Sequence, residues 1–209
     1  TNGGTMPQTV SAATEAVIFT GIPGSHIGIN AHNDTEHAVA NSLAAIEAGA
    51  RHIQGTLNGL GERCGNANLV SIIPTLLLKE PYKSKYKLNV DLEKLSQLTS
   101  ISRALDDVLN RVPLKQSAYV GASAFAHKAG LHASAILKSP ETYEHVSPDL
   151  VGNQRVIPMS NQAGQSNLRM RLNEANLSVE KNDPNLLQIL DEIKRREDQG
   201  YAYDSAQAS

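Results

Sequence analysis

Hydrophobic and polar positions change period several times along the chain, and each change predicts an element. From Thr9 to Phe19, Val10, Ala13 and Val17 recur at helical spacing, and Gly21 and Pro23 close the segment. A short apolar run, Ile27-Gly28-Ile29, then ends abruptly in Asn30-Ala31-His32-Asn33-Asp34, whose polar side chains alternate as on a strand. Thr35 to Ala48 returns to helical spacing through Val39, Leu43 and Ile46, with Asp34 as its cap and Gly49 as its stop. A second strand-like run covers Arg51 to Leu57. Strand, helix, strand, helix in this order implies parallel pairing, hence an α/β fold. Leu69 to Leu78 is apolar enough for a buried helix interrupted at Pro74. Asp91 to Asn110 carries Leu92, Leu95, Leu98, Ile101, Leu105 and Val108 on a stripe that reads as structural wall rather than cofactor box. The character shifts after Arg111-Val112-Pro113 to polar turns, three histidines and two later helices. The last of these opens at Asp183-Pro184 and ends at Gly200. A domain change near residue 111 is expected, with no internal repeat.

The polar end of the first strand is the richest place for chemistry. Side chains two apart share a face, so Asn30, His32 and Asp34 point one way, at the end of a strand where α/β folds present their catalytic groups. The second strand-like run leads into Asn58-Gly59-Leu60-Gly61-Glu62-Arg63-Cys64-Gly65-Asn66, with glycines at 55, 59, 61 and 65 that permit turns and close approach of a ligand to the backbone. The spacing matches neither the dinucleotide fingerprint nor the phosphate-binding P-loop. Asn66 and Glu62 offer oxygens, and Arg63 offers a fork for a carboxylate. His127, His132 and His145 carry imidazoles, the side chain best suited to proton transfer at physiological pH, and are candidates for that role, although for His127, Lys128 and His145 a structural role is the simpler reading. His26, His37 and His52 read as surface or packing residues, and Cys64 as small packing.

Composition narrows the class. With 209 residues, 40% of them hydrophobic and 19% charged, the chain has material for a large core. A net charge of −2 argues against a nucleic-acid surface, and the basic, aromatic loop from Lys79 to Lys87 reads as a solvated connection. One cysteine makes no internal disulfide, and no apolar run approaches the ~20 residues of a membrane span, so the cytoplasm is the simplest compartment. Thr1 is no initiator, and the chain has the look of a fragment.

Thr1-Asn2-Gly3-Gly4, Asn30 to Asp34, Ala40-Asn41-Ser42-Leu43-Ala44-Ala45 and Gly59 to Asn66 closely resemble the isopropylmalate, homocitrate and citramalate synthases. The resemblance continues through Phe125-Ala126-His127-Lys128-Ala129-Gly130-Leu131-His132, Tyr143-Glu144-His145 and Val151-Gly152-Asn153. Gly164-Gln165-Ser166-Asn167 and the ending from Gly200 to Ser209 are most like the citramalate branch. It implies the C-terminal part of a (β/α)8 barrel over residues 1–110, a histidine-containing linker subdomain over 111–158 that reaches the partner's active site, and a helical subdomain over 159–209. The implied chemistry is metal-dependent condensation of acetyl-CoA with an α-keto acid, pyruvate foremost, on the way to isoleucine or leucine, in a homodimer with exchanged helical subdomains.

By resemblance His32 and Asn66 hold the metal, Mg²⁺, Mn²⁺ or Zn²⁺, and Thr1 binds the keto-acid carboxylate. His132 and Tyr143 are catalytic, and Glu62 and Arg63 support the loop. Asn30 stands where the family has a second histidine, which shifts preference from Zn²⁺ toward harder cations. A further aspartate ligand, a catalytic arginine and a carboxylate base are expected upstream of Thr1, so the isolated chain is expected not to turn over. A Claisen or aldol lyase on the same barrel, and a non-catalytic assembly piece, remain alternatives.

Overall fold

A computed structural model describes residues 1–158, 163–180 and 183–201. The chain divides into two compact units, the first being Thr1–Pro113 with Ala118–Val120, the second Leu114–Ser117 with the residues from Gly121 onward.

In the first unit, helix α1 (Pro7–Phe19) starts on a proline at its first position, where the missing N–H costs no helical bond. Strand β1 (Gly28–Asn30), helix α2 (Ala38–Glu47) and strand β2 (His52–Gln54) form a β-α-β unit. The strands pair in parallel as expected, with Gly28 opposite His52, Ile29 opposite Ile53 and Asn30 opposite Gln54. Ile29 and Ala31 turn to the helical side and join Val10, Ala38, Ala45, Ala50, Ala67, Ile72 and Leu76 in the core. Alanines dominate that list, and their small side chains let α2 pack closely on the strands and on α1. The opposite face is thereby left to Asn30 and Gln54.

Several expectations are corrected here. Helix α2 begins at Ala38 rather than Thr35, because Glu36 adopts a left-handed φ of 60° that no helix turn accommodates. Asp34 is not its cap. The Asn33 side chain accepts from Ala38 N (3.1 Å), while the Asp34 carboxylate is bound by Arg63. Helix α3 (Leu69–Leu78) runs through Pro74 uninterrupted, opened by Asn68, whose side chain accepts from Val70 N. The expected long helix over 91–110 is two, α5 (Leu92–Leu95) and α6 (Leu98–Val108). At the break, the Ser96 hydroxyl donates back to Glu93 O, a local bond that competes with helix continuation. The apolar stripe is buried only in part: Leu95 and Leu98 are inside, Leu92, Ile101 and Val108 are exposed, and Thr99, Ser102 and Asp106 are buried in their place.

Nor is the loop from Lys79 to Lys87 simply solvated. It contains helix α4 (Tyr82–Lys85), Tyr82 packs against the core and bonds Glu47, and Arg51 lies over the Tyr86 ring. Cys64, expected as packing, is exposed.

The second unit contains helices α7 (Gly130–Lys138), α8 (Gln165–Glu174) and α9 (Pro184–Asp198). Leu168, Leu186, Leu190 and Ala163 form a core to which Leu172, Val179 and Ile193 are added. Helix α9 opens as expected, with Asp183 accepting from Asn185 N (2.8 Å) and Pro184 in the first turn, and Gly200 follows its end at φ 90°. An isolated parallel bridge pairs Ala126 with Val156, held by His127 N to Val156 O (2.9 Å) and Val156 N to Phe125 O (3.0 Å). The citramalate-like ending from Ala202 to Ser209 lies outside the described residues, as do 159–162 and 181–182 within the expected helical subdomain.

Candidate functional site

Three segments meet beyond the carboxyl ends of β1 and β2. The chain continuing from β1 places His32 opposite Asn66 of the glycine loop in an antiparallel bridge, flanked by Ala67 N to Ala31 O (3.0 Å) and Asn33 N to Gly65 O (2.9 Å). Asn66 Nδ2 donates to Asn30 Oδ1 (3.1 Å), and Asn30 Nδ2 donates to Gln54 Oε1 (3.3 Å). Three amides thus line the strand ends beside one imidazole. Thr1 completes the group: its hydroxyl oxygen accepts from His32 N (3.1 Å) and Gly3 N (3.4 Å). The structure therefore brings Thr1, Asn30, His32 and Asn66 together.

The glycines of the loop are required by distance as well as by φ. A Cβ on Gly61 would fall 2.0 Å from Asn66 Oδ1, and one on Gly65, at φ 89°, would fall 2.0 Å from Gly59 O. Asn58, also left-handed at φ 55°, ties the loop to α6 by a reciprocal pair, Asn58 Nδ2 to Ser102 O (2.9 Å) and Ser102 Oγ to Asn58 Oδ1 (2.7 Å).

Arg63 and Glu62 lie on the outside of this loop. Arg63 grips Asp34 with both arms of its guanidinium (2.6 and 3.0 Å), joining the glycine loop to the loop after β1. Those hydrogen bonds hold the Asp34 carboxyl below its ordinary range and push Arg63 up. Asp34 is also why residue 3 is glycine, since a Cβ there would overlap its carboxylate at 1.7 Å. Glu62 contributes through its backbone, accepting from Gly65 N (2.9 Å), and its side chain is exposed.

Among the described residues no three His, Cys, Asp or Glu side chains cluster. What the strand ends offer is His32 Nδ1, buried and without a hydrogen-bond partner, beside the amides of Asn30 and Asn66. An orphaned ring nitrogen costs about 1–3 kcal/mol unless a ligand satisfies it. One imidazole with amide oxygens is a set that a divalent cation fits, with oxygen-preferring ions favoured.

In the second unit His132, on α7, stacks on Tyr143 with ring centroids 4.2 Å apart and planes 29° from parallel. Phe125, buried, stacks on His145 at 6.0 Å. His127 is buried with Nε2 3.3 Å from Glu144 Oε1, close but off the line of a good hydrogen bond. Glu144 is clamped by Arg155 through two parallel bonds of 2.5 and 2.6 Å.

Sequence reasoning missed Gln54, the Asp34–Arg63 pair and the Glu144–Arg155 pair. Gln54 was findable, because the alternation of the Arg51–Leu57 run places it on the same face as Asn30 once the strands pair in parallel. No local signal links Glu144 to Arg155.

The family description HMGL-like matches residues 1–102, and the description Homocitrate synthase post-HMGL domain-like matches residues 119–201. Over its whole length the chain is 46% identical to an (R)-citramalate synthase of Aquifex aeolicus, and 46% identical to one of Synechocystis. Over 92% of its length it is 35% identical to a probable 2-isopropylmalate synthase of Methanopyrus kandleri. The chain spans 38% of the length of the first two relatives and 35% of the third. An HMG-CoA lyase of Bacillus subtilis aligns over 55% of this chain and 38% of its own, at 26% identity and a TM-score of 0.44.

Proposed function

We propose that this chain, which belongs to the family of isopropylmalate, homocitrate and citramalate synthases and carries part of their (β/α)8 barrel, is a piece of an acyltransferase that condenses acetyl-CoA with a short α-keto acid. Pyruvate is the preferred keto acid and citramalate the product, in the cytoplasmic synthesis of branched-chain amino acids. The observation that carries this reading is the convergence of Thr1, Asn30, His32 and Asn66 at the strand ends.

A divalent cation bound at His32 with Asn66 and Asn30, completed by a ligand from outside this chain, would polarise the keto group as a Lewis acid. Thr1 binds the keto-acid carboxylate. Its oxygen already accepts from two backbone N–H groups, so the hydroxyl proton is directed outward as a donor. A base takes a proton from the acetyl methyl group, the methyl carbon bonds to the keto carbon, and the keto oxygen gains a proton. Water then cleaves the thioester and releases coenzyme A. His132, backed by Tyr143, moves the proton, in a homodimer whose exchanged helical subdomains carry that pair to the partner's barrel. Glu62 and Arg63 keep the glycine loop in place.

The lyase reading accounts for the strand-end residues but gives the His132–Tyr143 pair no task. Assaying the full-length protein with acetyl-CoA and pyruvate, 2-ketoisovalerate or 2-ketoglutarate tests the proposal. Release of coenzyme A with the highest kcat/KM for pyruvate is expected. An equal or higher value for 2-ketoisovalerate overturns the pyruvate assignment, and no release with any keto acid overturns the synthase.

A further inference from the structure

Among the described acidic residues of the second unit, Glu144 has the most deeply buried side chain, and its neighbours on either side in sequence are both aromatic stacking partners. Tyr143 stacks on His132 and His145 on Phe125. The carboxylate is 2% exposed and cannot remain there charged without partners. Arg155 supplies them with a two-armed fork, and the His127 ring lies 3.3 Å from the same oxygen. These two partners are themselves fixed. They adjoin Val156 and Ala126, the two residues of the parallel bridge, so the backbone pairing aims Arg155 and His127 at one point. On the other side, the turn at Pro140–Thr142 closes with Tyr143 N and Glu144 N both donating to Pro140 O (3.1 and 3.0 Å).

Tyr143, by contrast, is 42% exposed, with its ring lying against that of His132. We infer that Glu144, clamped by Arg155, is a positioning residue that anchors the Tyr143 ring against His132. Glu144 and Arg155 each act by fixing the backbone from which Tyr143 projects. The inference rests on the proton-transfer role given to His132 and Tyr143 above.

The test uses the full-length enzyme with Glu144→Gln, Arg155→Lys, Tyr143→Ala and the double variant of Glu144→Gln with Tyr143→Ala. Glu144→Gln is expected to lower kcat about tenfold with the keto-acid KM within about twofold, and to have almost no further effect once Tyr143 is alanine. Arg155→Lys, which keeps the charge and loses the fork, lies between Glu144→Gln and the wild type. The second readout needs no turnover: in protein carrying ¹³C-labelled histidine, the ring signal of His132 is displaced by the Tyr143 ring, and Glu144→Gln moves it as Tyr143→Ala does. Losses that multiply in the double variant, or an unmoved His132 signal, overturn the inference. If Glu144→Gln does not fold, Arg155→Lys decides by the same two readouts. A Tyr143→Ala enzyme with undiminished kcat would instead refute the role of Tyr143, while the His132 signal would still report whether Glu144 positions that ring.

Discussion

The strand-end site and the Glu144 cluster hold polar groups in place by opposite means. At the strand ends, three neutral amides are linked in a chain of hydrogen bonds of 3.1 and 3.3 Å, beside one imidazole whose Nδ1 has no partner. The ion pair beside them, Arg63 with Asp34, is partly exposed, with 48% and 27% of the side chains open to solvent. In the Glu144 cluster the charge is inside, 2% exposed, with Arg155 at 29%. An open site exchanges its hydrogen bonds with water or a ligand at little net cost. A buried carboxylate tolerates no loss of partner. The first arrangement suits a place where substrate comes and goes, the second a fixed anchor for groups that must not move.

The sharpest way to break this contrast is at His132, the group the anchor serves. His132→Ala or His132→Asn in the full-length enzyme is expected to lower kcat by about 10²-fold or more with little change in keto-acid KM, measured by steady-state kinetics. A near-wild-type kcat would remove the proton-transfer role and with it the reason for the anchor.

The next effects are on stability. Glu144→Ala leaves the Arg155 guanidinium facing a partly buried, unpaired environment, and about 2–3 kcal/mol of unfolding free energy should be lost. Asp34→Ala, opposite an exposed arginine, should leave stability close to that of wild type by the same denaturant titration. Comparable losses at both positions would erase the distinction between the two regions. Within the glycine loop, Gly65→Ala meets both a left-handed φ and a backbone oxygen at 2.0 Å, whereas Gly21, at φ 96°, has nothing within 4 Å of the added carbon. Gly65→Ala should therefore cost about 2–3 kcal/mol and Gly21→Ala about 1 kcal/mol in thermal or denaturant unfolding.

Acidification should separate the regions more gently. The Arg155 fork holds Glu144 below its ordinary pKa of 4.5, and burial pushes His127 below its ordinary 6.5 despite the opposing pull of Glu144. Both folded values are depressed, so in each case the unfolded chain takes up protons first, and stability that is complete above the unfolded pKa is lost as pH falls toward the folded one. Denaturant titrations should show a decline that starts below about pH 6.5 from His127 and steepens below about pH 4.5 from Glu144. His127→Gln should flatten the upper part of that decline, and a curve unchanged by the substitution would show that His127 is not responsible.

These regions also differ in how far the sequence disclosed them. The Asn30–Asp34 alternation and the glycine loop declare themselves because strand period and turn chemistry are local, and parallel pairing then fixes which groups meet. Helix α3 passing through Pro74, the break at Ser96 and the buried polar face of α6 were not legible in the sequence. The buried polar face of α6 depends on a tertiary partner, Asn58, which takes up Ser102, and the break at Ser96 depends on a side-chain bond that apolar spacing does not register. The Glu144–Arg155 pair was invisible for the same reason. It joins residues eleven apart through irregular backbone, where neither helix nor strand period points one at the other.

Under the proposed function, the strand ends of the first unit bind a divalent cation through His32. Calorimetric titration of the full-length protein with Mn²⁺ and with Zn²⁺ tests it most directly, on wild type, His32→Ala and Asn30→His. His32→Ala is expected to lose binding together with metal-dependent turnover, and Asn30→His, which adds a second imidazole, to bind more tightly and shift preference toward Zn²⁺. Undiminished affinity in His32→Ala, or an Asn30→His protein with unchanged affinity and selectivity, would contradict it.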